Sequence, residues 1–138
     1  MAGEIVVGYD GSAGGRAGLD AAIDMAKKLS TGLIIVYGYE VSKFGGEVAD
    51  LAAALRERGE ALTVEAAEIA RAAGLDPQTD VIDAHPAEAL ADAAADAGAQ
   101  MIVVSNRGEG QLRGIIVGSL APKLLQVASV PVLVVPAD

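Results

Sequence analysis

Five short aliphatic runs separated by stretches of helical period govern what this chain can fold into. They are residues 4–9 (EIVVGY), 33–39 (LIIVYGY), 79–84 (TDVIDA), 101–105 (MIVVS) and 130–135 (VPVLVV). Most are β-branched and nearly continuous rather than alternating, the pattern required of a strand covered on both faces. Between them, residues 17–29 repeat apolar side chains at Leu19, Ile23, Ala26 and Leu29, and residues 87–97 gather small residues on a face carrying Leu90. Residues 47–73, with Leu51, Leu55, Leu62, Val64 and Ile69, predict a helix interrupted near Gly59, since glycine is a poor interior helix residue. Strand alternating with helix five times predicts an α/β fold with a doubly wound parallel sheet. No linker, compositional break or fixed repeat divides the 138 residues, so one domain over residues 1–138 is expected.

Charge and composition narrow the function classes. Ten Lys and Arg against nineteen Asp and Glu leave a net charge of −9, and a general grip on a nucleic acid backbone would work against that field. No nucleic acid partner is expected. The absence of cysteine removes disulfides, thiolate zinc sites and thiol catalysis, and fits a reducing compartment. The first residues carry no basic and apolar leader, and no apolar stretch reaches the ~18 residues needed to span a bilayer. The expected location is the cytoplasm, with no membrane contact.

In a sheet of this kind ligands sit beyond the C-terminal strand ends where the strand order reverses, so the informative residues follow each run. After the first run, Asp10 can accept from a ribose hydroxyl or help hold a divalent cation, and Ser12 can cap the next helix or touch a phosphate. Alternatively, Asp10, Gly11 and Ser12 simply form an Asx turn. After the fourth run, Gly108, Gly110 and Gly114 leave room for a backbone to wrap a phosphate, and Gly118-Ser119 opens a helix whose N–H groups suit an anion. Arg107 and Arg113 add positive charge there; alternatively, the glycines merely shape a long loop and the arginines are solvated.

The prolines mark element starts. Pro122 fits only the first turn of the helix after Ser119, Pro86 a helix N-terminus after the third run, and Pro131 the start of the last strand. His85, the one histidine, reads as a loop or capping residue, with reach to a ligand from that strand end as the alternative. Residues 40–46 (EVSKFGG) form the one irregular insert, either a flap or a spacer that repositions the long helix. No catalytic Ser, His and acid set and no GxxxxGK[ST] loop is legible, which leaves slow hydrolysis of a bound nucleotide as the only catalysis to consider.

IVVGYDGS at residues 5–12, HPAEAL at 85–90, the spacing of Gly108, Gly118 and Ser119, and the closing PVLVV at 131–135 together make the chain closely resemble the universal stress protein family. The resemblance covers nearly the whole sequence. It implies a five-stranded parallel sheet in the order 3-2-1-4-5, a homodimer through the last strand, residues 130–135 with Val130 and Val135 at its ends, and ATP binding. The ATP motif of many members is Gly, two residues, Gly, nine residues, Gly and Ser or Thr. Here the second glycine is Gly108, the third Gly118 and the hydroxyl residue Ser119, while Ser105 stands at the first glycine position. The resemblance also implies that Asp10 meets the ribose or a magnesium ion and that Gly38 lies by the adenine through its backbone. His85 follows Ala84 where members often carry glycine.

The nucleotide-site candidates are accordingly Tyr9, Asp10, Gly38, Ser105, Asn106, Arg107, Gly108, Gly110, Gly118, Ser119 and Leu120, with Asp10 also the candidate metal ligand. The expected function is that of an ATP-binding, nucleotide-responsive stress regulator, with ATP or ADP, and Mg with the phosphates, as ligand and a protein partner to be identified. Two rivals stand beside it. One is a dimeric interaction module that leaves its crevice empty, as in the family branch with bulkier residues in the glycine motif; the other is a slow ATPase.

Overall fold

The chain folds as the alternation predicts in a computed structural model that describes residues 3–41, 48–106 and 120–137. The strands are β1 (Ile5–Gly8), β2 (Leu33–Tyr39), β3 (Gln78–Asp83), β4 (Met101–Ser105) and β5 (Val132–Val135). The helices are α1 (Ala13–Lys28), α2 (Val48–Ala72), α3 (Pro86–Ala97) and α4 (Leu120–Val127). All strand pairs are parallel, in the order β3-β2-β1-β4-β5. The chain winds outward from β1 through β2 to β3, then crosses back to lay β4 on the other side of β1. The order therefore reverses between β1 and β4.

Alternation along the strands sorts the core into two layers. Ile5, Val7, Leu33, Ile35 and Val103 point to α1 and α2, where they meet Leu19, Ile23, Ala66 and Ala70. Val6, Ile34, Val36, Ile102 and Val104 point to α3 and α4, where they meet Ala87, Leu90, Ala94 and Leu124. Ile5, Val6 and Val7 are each wholly buried, as a central strand with helices on both faces must be. Full burial of one such side chain is worth about 1.5–3 kcal/mol before chain entropy is charged against it.

Local signals set the helix ends. The Ser12 hydroxyl accepts from the Gly15 N–H at 3.0 Å, and Lys27 and Lys28 complement the dipole at the far end of α1. His85 caps α3 through Nδ1, which accepts from the Ala87 N–H at 3.1 Å, and Gly98 ends it in the left-handed conformation with φ of 63°. Pro86 opens α3, and Pro122 falls in the first turn of α4, both where proline is tolerated. Pro131 stands just before β5, where its carbonyl accepts from the Ile102 N–H at 2.9 Å.

Two expectations need correction. α2 runs unbroken through Gly59, because the glycine is where the helix presses on β2. A Cβ there would stand 2.4 Å from Cδ1 of Tyr37, so the missing side chain accommodates the ring instead of breaking the helix. α1 begins four residues before the predicted residue 17, because its first turns hold Gly14 and Gly15, which carry no apolar period. Of the expected insert at 40–46, only residues 40 and 41 lie within the described chain.

Candidate crevice at the strand-order reversal

The turn that follows β1 is built around Asp10. Its Oδ1 accepts from the Ser12 N–H at 3.0 Å and from the Ser12 hydroxyl at 2.5 Å, while that hydroxyl accepts from Gly15. Gly11 takes a positive φ of 82°, a conformation that favours glycine. The Asx-turn alternative is therefore realised: Asp10 and Ser12 together cap α1. This geometry also fixes the Asp10 carboxylate beside the N-terminus of α1, at the point where the strand order reverses.

Glycines bring the surrounding elements close. A Cβ on Gly15 would stand 2.5 Å from Oδ1 of Asp10, and one on Gly18 would stand 3.5 Å from the Ser105 amide nitrogen. α1 thus lies against the ends of both β1 and β4. Across the crevice, Gly38 has no space for a side chain, since a Cβ would stand 2.8 Å from Cβ of Ala89 and 2.9 Å from Cα of Pro86. Its backbone is held tightly under the start of α3.

Tyr9 turns away from the strand end into the α1 and α2 layer. Its ring is buried, and its hydroxyl donates to Oε2 of Glu65 on α2. Burial, and then the hydrogen bond and charge of Glu65, push the phenol up to about 12 from its ordinary 10.0. Leu62, one turn earlier on α2, reaches the Gly11 turn: a Cβ on Gly11 would lie 2.8 Å from Cδ2 of Leu62. On the solvent side of α1, Arg16 donates to Asp20 at 2.9 Å, and that bond raises the guanidinium pKa further.

On the other flank, alternation with Val103 turns Ser105 toward α1, partly buried. Asn106 is engaged with the end of β5: its N–H donates to the Val135 carbonyl at 3.0 Å and its Oδ1 accepts from the Ala137 N–H at 2.9 Å. Leu120 packs, partly buried, on the α3 and α4 layer. The structure thus gathers Asp10, Ser105 and Asn106 at the ends of β1 and β4, with Gly38 at the end of β2. Arg107, Gly108, Gly110, Gly118 and Ser119 lie outside the described residues.

Sequence reasoning missed Leu62, Glu65 and Ala137, whose roles depend on contacts across the fold. Gly18 lay inside the predicted helix, where a glycine can mark a packing contact, while Gly15 lay before its predicted start. Among the described residues, no group of three or more His, Cys, Asp or Glu is arranged to hold a metal ion. Among those residues also, no helix is long and apolar enough to cross a membrane.

A five-stranded parallel sheet in this order, with helices on both faces and its order reversing between β1 and β4, defines a Rossmann-like α/β protein. The chain belongs to the universal stress protein family, whose profile matches residues 1–136. A universal stress protein of Thermus aquaticus is 32% identical over 134 residues, covering 95% of this chain and 96% of that one. A universal stress protein solved in complex with cAMP is 27% identical, with a TM-score of 0.77 and full coverage of both chains. The universal stress protein of Archaeoglobus fulgidus in complex with dAMP shares the fold at 21% identity, with a TM-score of 0.71 and 96% coverage of each chain.

Proposed function

We propose that this protein binds an adenine nucleotide in the crevice between β1 and β4 and acts as a nucleotide-responsive regulator. The carrying observation is the Asp10 turn: a carboxylate fixed by two hydrogen bonds from Ser12, beside the N-terminus of α1 at the reversal point. The complex of a 27% identical relative with cAMP supports an adenine nucleotide as the ligand class. In this reading Asp10 takes the ribose hydroxyls or a magnesium ion, and the Gly38 backbone borders the base. Gly108, Gly118 and Ser119 match the ATP motif and take the phosphates, which makes ATP with Mg the proposed cofactor. The protein is proposed to work as a single domain in the cytoplasm, as a homodimer paired through β5. Calorimetric titration with Mg-ATP and with cAMP tests it: saturable heat with at least one is expected. No heat and no thermal shift at millimolar concentrations of either would overturn it.

One observation favours the rival module without ATP. Ser105 occupies the first motif glycine, and alternation with Val103 turns its side chain to the α1 side of the sheet. Under that reading Ser105→Gly creates nucleotide binding where the wild type has none; under ours, both bind.

A further inference from the structure

We infer that Asn106 is a positioning residue that couples the nucleotide crevice to the exposed edge at β5. This rests on the nucleotide and dimer reading above. None of the four β5 side chains is fully buried: Val132 and Val135 are partly covered, and Leu133 and Val134 are exposed. A strand with so little buried surface keeps its place mainly through its backbone ladder to β4 and through whatever grips its end. Asn106 is that grip. Its N–H closes the ladder on the Val135 carbonyl at 3.0 Å, and its Oδ1 stands in for a backbone carbonyl two residues further, accepting from Ala137 at 2.9 Å.

The same residue directly follows Ser105, whose amide lies against Gly18 of α1 at the end of β4. A ligand that restrains the crevice end of β4 therefore restrains Asn106, and through its two hydrogen bonds the exit of β5. A second copy pairing with β5 orders the same segment from the other side. Each event lowers the ordering cost of the other, so nucleotide tightens the dimer and the dimer tightens nucleotide by the same factor.

The test measures the dimer dissociation constant by sedimentation with and without Mg-ATP, alongside hydrogen exchange at the Val135 and Ala137 amides. In the wild type, Mg-ATP is expected to tighten the dimer about 5- to 10-fold and to slow exchange at both amides. In Asn106→Ala and in Ala137→Pro the tightening falls below about 2-fold, under the typical range of coupling between sites. Ala137→Pro removes the donor on the β5 side of the link, away from the proposed ligand contacts, so its effect cannot come from a lost ligand contact. Asn106→Asp keeps the acceptor and is expected to keep the coupling. Loss of stability alone would shift melting temperatures without changing the ratio of the two dimer constants. A wild type that binds Mg-ATP with an unchanged dimer constant overturns the inference while the parent reading stands. Full coupling in both Asn106→Ala and Ala137→Pro does the same. Absence of nucleotide heat or of a dimer in the wild type overturns both.

Discussion

The two edges of the sheet are finished in different ways. At β3 the exposed positions are Gln78, Thr79, Asp80 and Asp83, and Arg56 on α2 donates to the Val81 carbonyl at 3.3 Å. Polar side chains and a cation on a free carbonyl discourage pairing with another strand. α2, with 25 residues, is seated beside this half of the sheet by Gly59 against Tyr37 and by the Tyr9 hydrogen bond to Glu65. At β5 the exposed positions are Leu133 and Val134, and α4, of eight residues, buries only Ala121 and Leu124 while Leu125 and Val127 stand in solvent. One edge is closed by its own chain. The other is left apolar, which is the physical basis for proposing that a second copy completes it.

The contrast can be broken most directly at β5. Val134→Lys places two cations at the proposed interface and is expected to raise the dimer dissociation constant about 100-fold, roughly 2.7 kcal/mol. Sedimentation equilibrium reads it, and an unchanged constant would show that the edge is not the interface.

A smaller effect is expected where a helix is pressed onto the β3 half. Gly38→Ala drives a Cβ into Ala89 and the Pro86 backbone and costs about 2 kcal/mol, seen as a lower unfolding midpoint in denaturant. A midpoint equal to wild type would mean that α3 retreats freely.

The smallest effect lies at the α2 anchor and depends on pH. The raised phenol pKa of Tyr9 means that the folded chain favours the protonated form. Its stabilising contribution is complete below pH 10.0 and is lost as pH rises toward about 12. Tyr9→Phe should cost about 1 kcal/mol at neutral pH. The wild type should lose that advantage over the variant between those two pH values. Parallel stability curves for the two proteins across that range would sink the assignment.

Much of the architecture is legible in the sequence. β2 and β4 begin and end at the predicted residues, and β1, β3 and β5 differ only at their ends. Continuous β-branched runs are a strong local signal, because a strand buried on both faces can hardly be written another way. The capping role of His85 and the positions of Pro86 and Pro122 were legible for the same reason: each acts within a turn of its own position. Gly59 was misread, because helix propensity describes an isolated helix and knows nothing of the Tyr37 ring. At the crevice the residue types at Asp10 and Ser12 were legible. That they hold each other was only one of two alternatives until their hydrogen bonds were seen.

Sequence by itself determined which segments become strands and helices and which strand ends carry carboxylate, hydroxyl and glycine, since propensity, capping and hydrophobic period operate over a few residues. Tertiary structure alone decided what those groups face. It set α2 over the Gly11 turn through Leu62, turned the Tyr9 hydroxyl onto Glu65, and tied Asn106 to Ala137. These contacts join residues 31 to 56 positions apart, a separation at which only the packing of the whole sheet selects the partner.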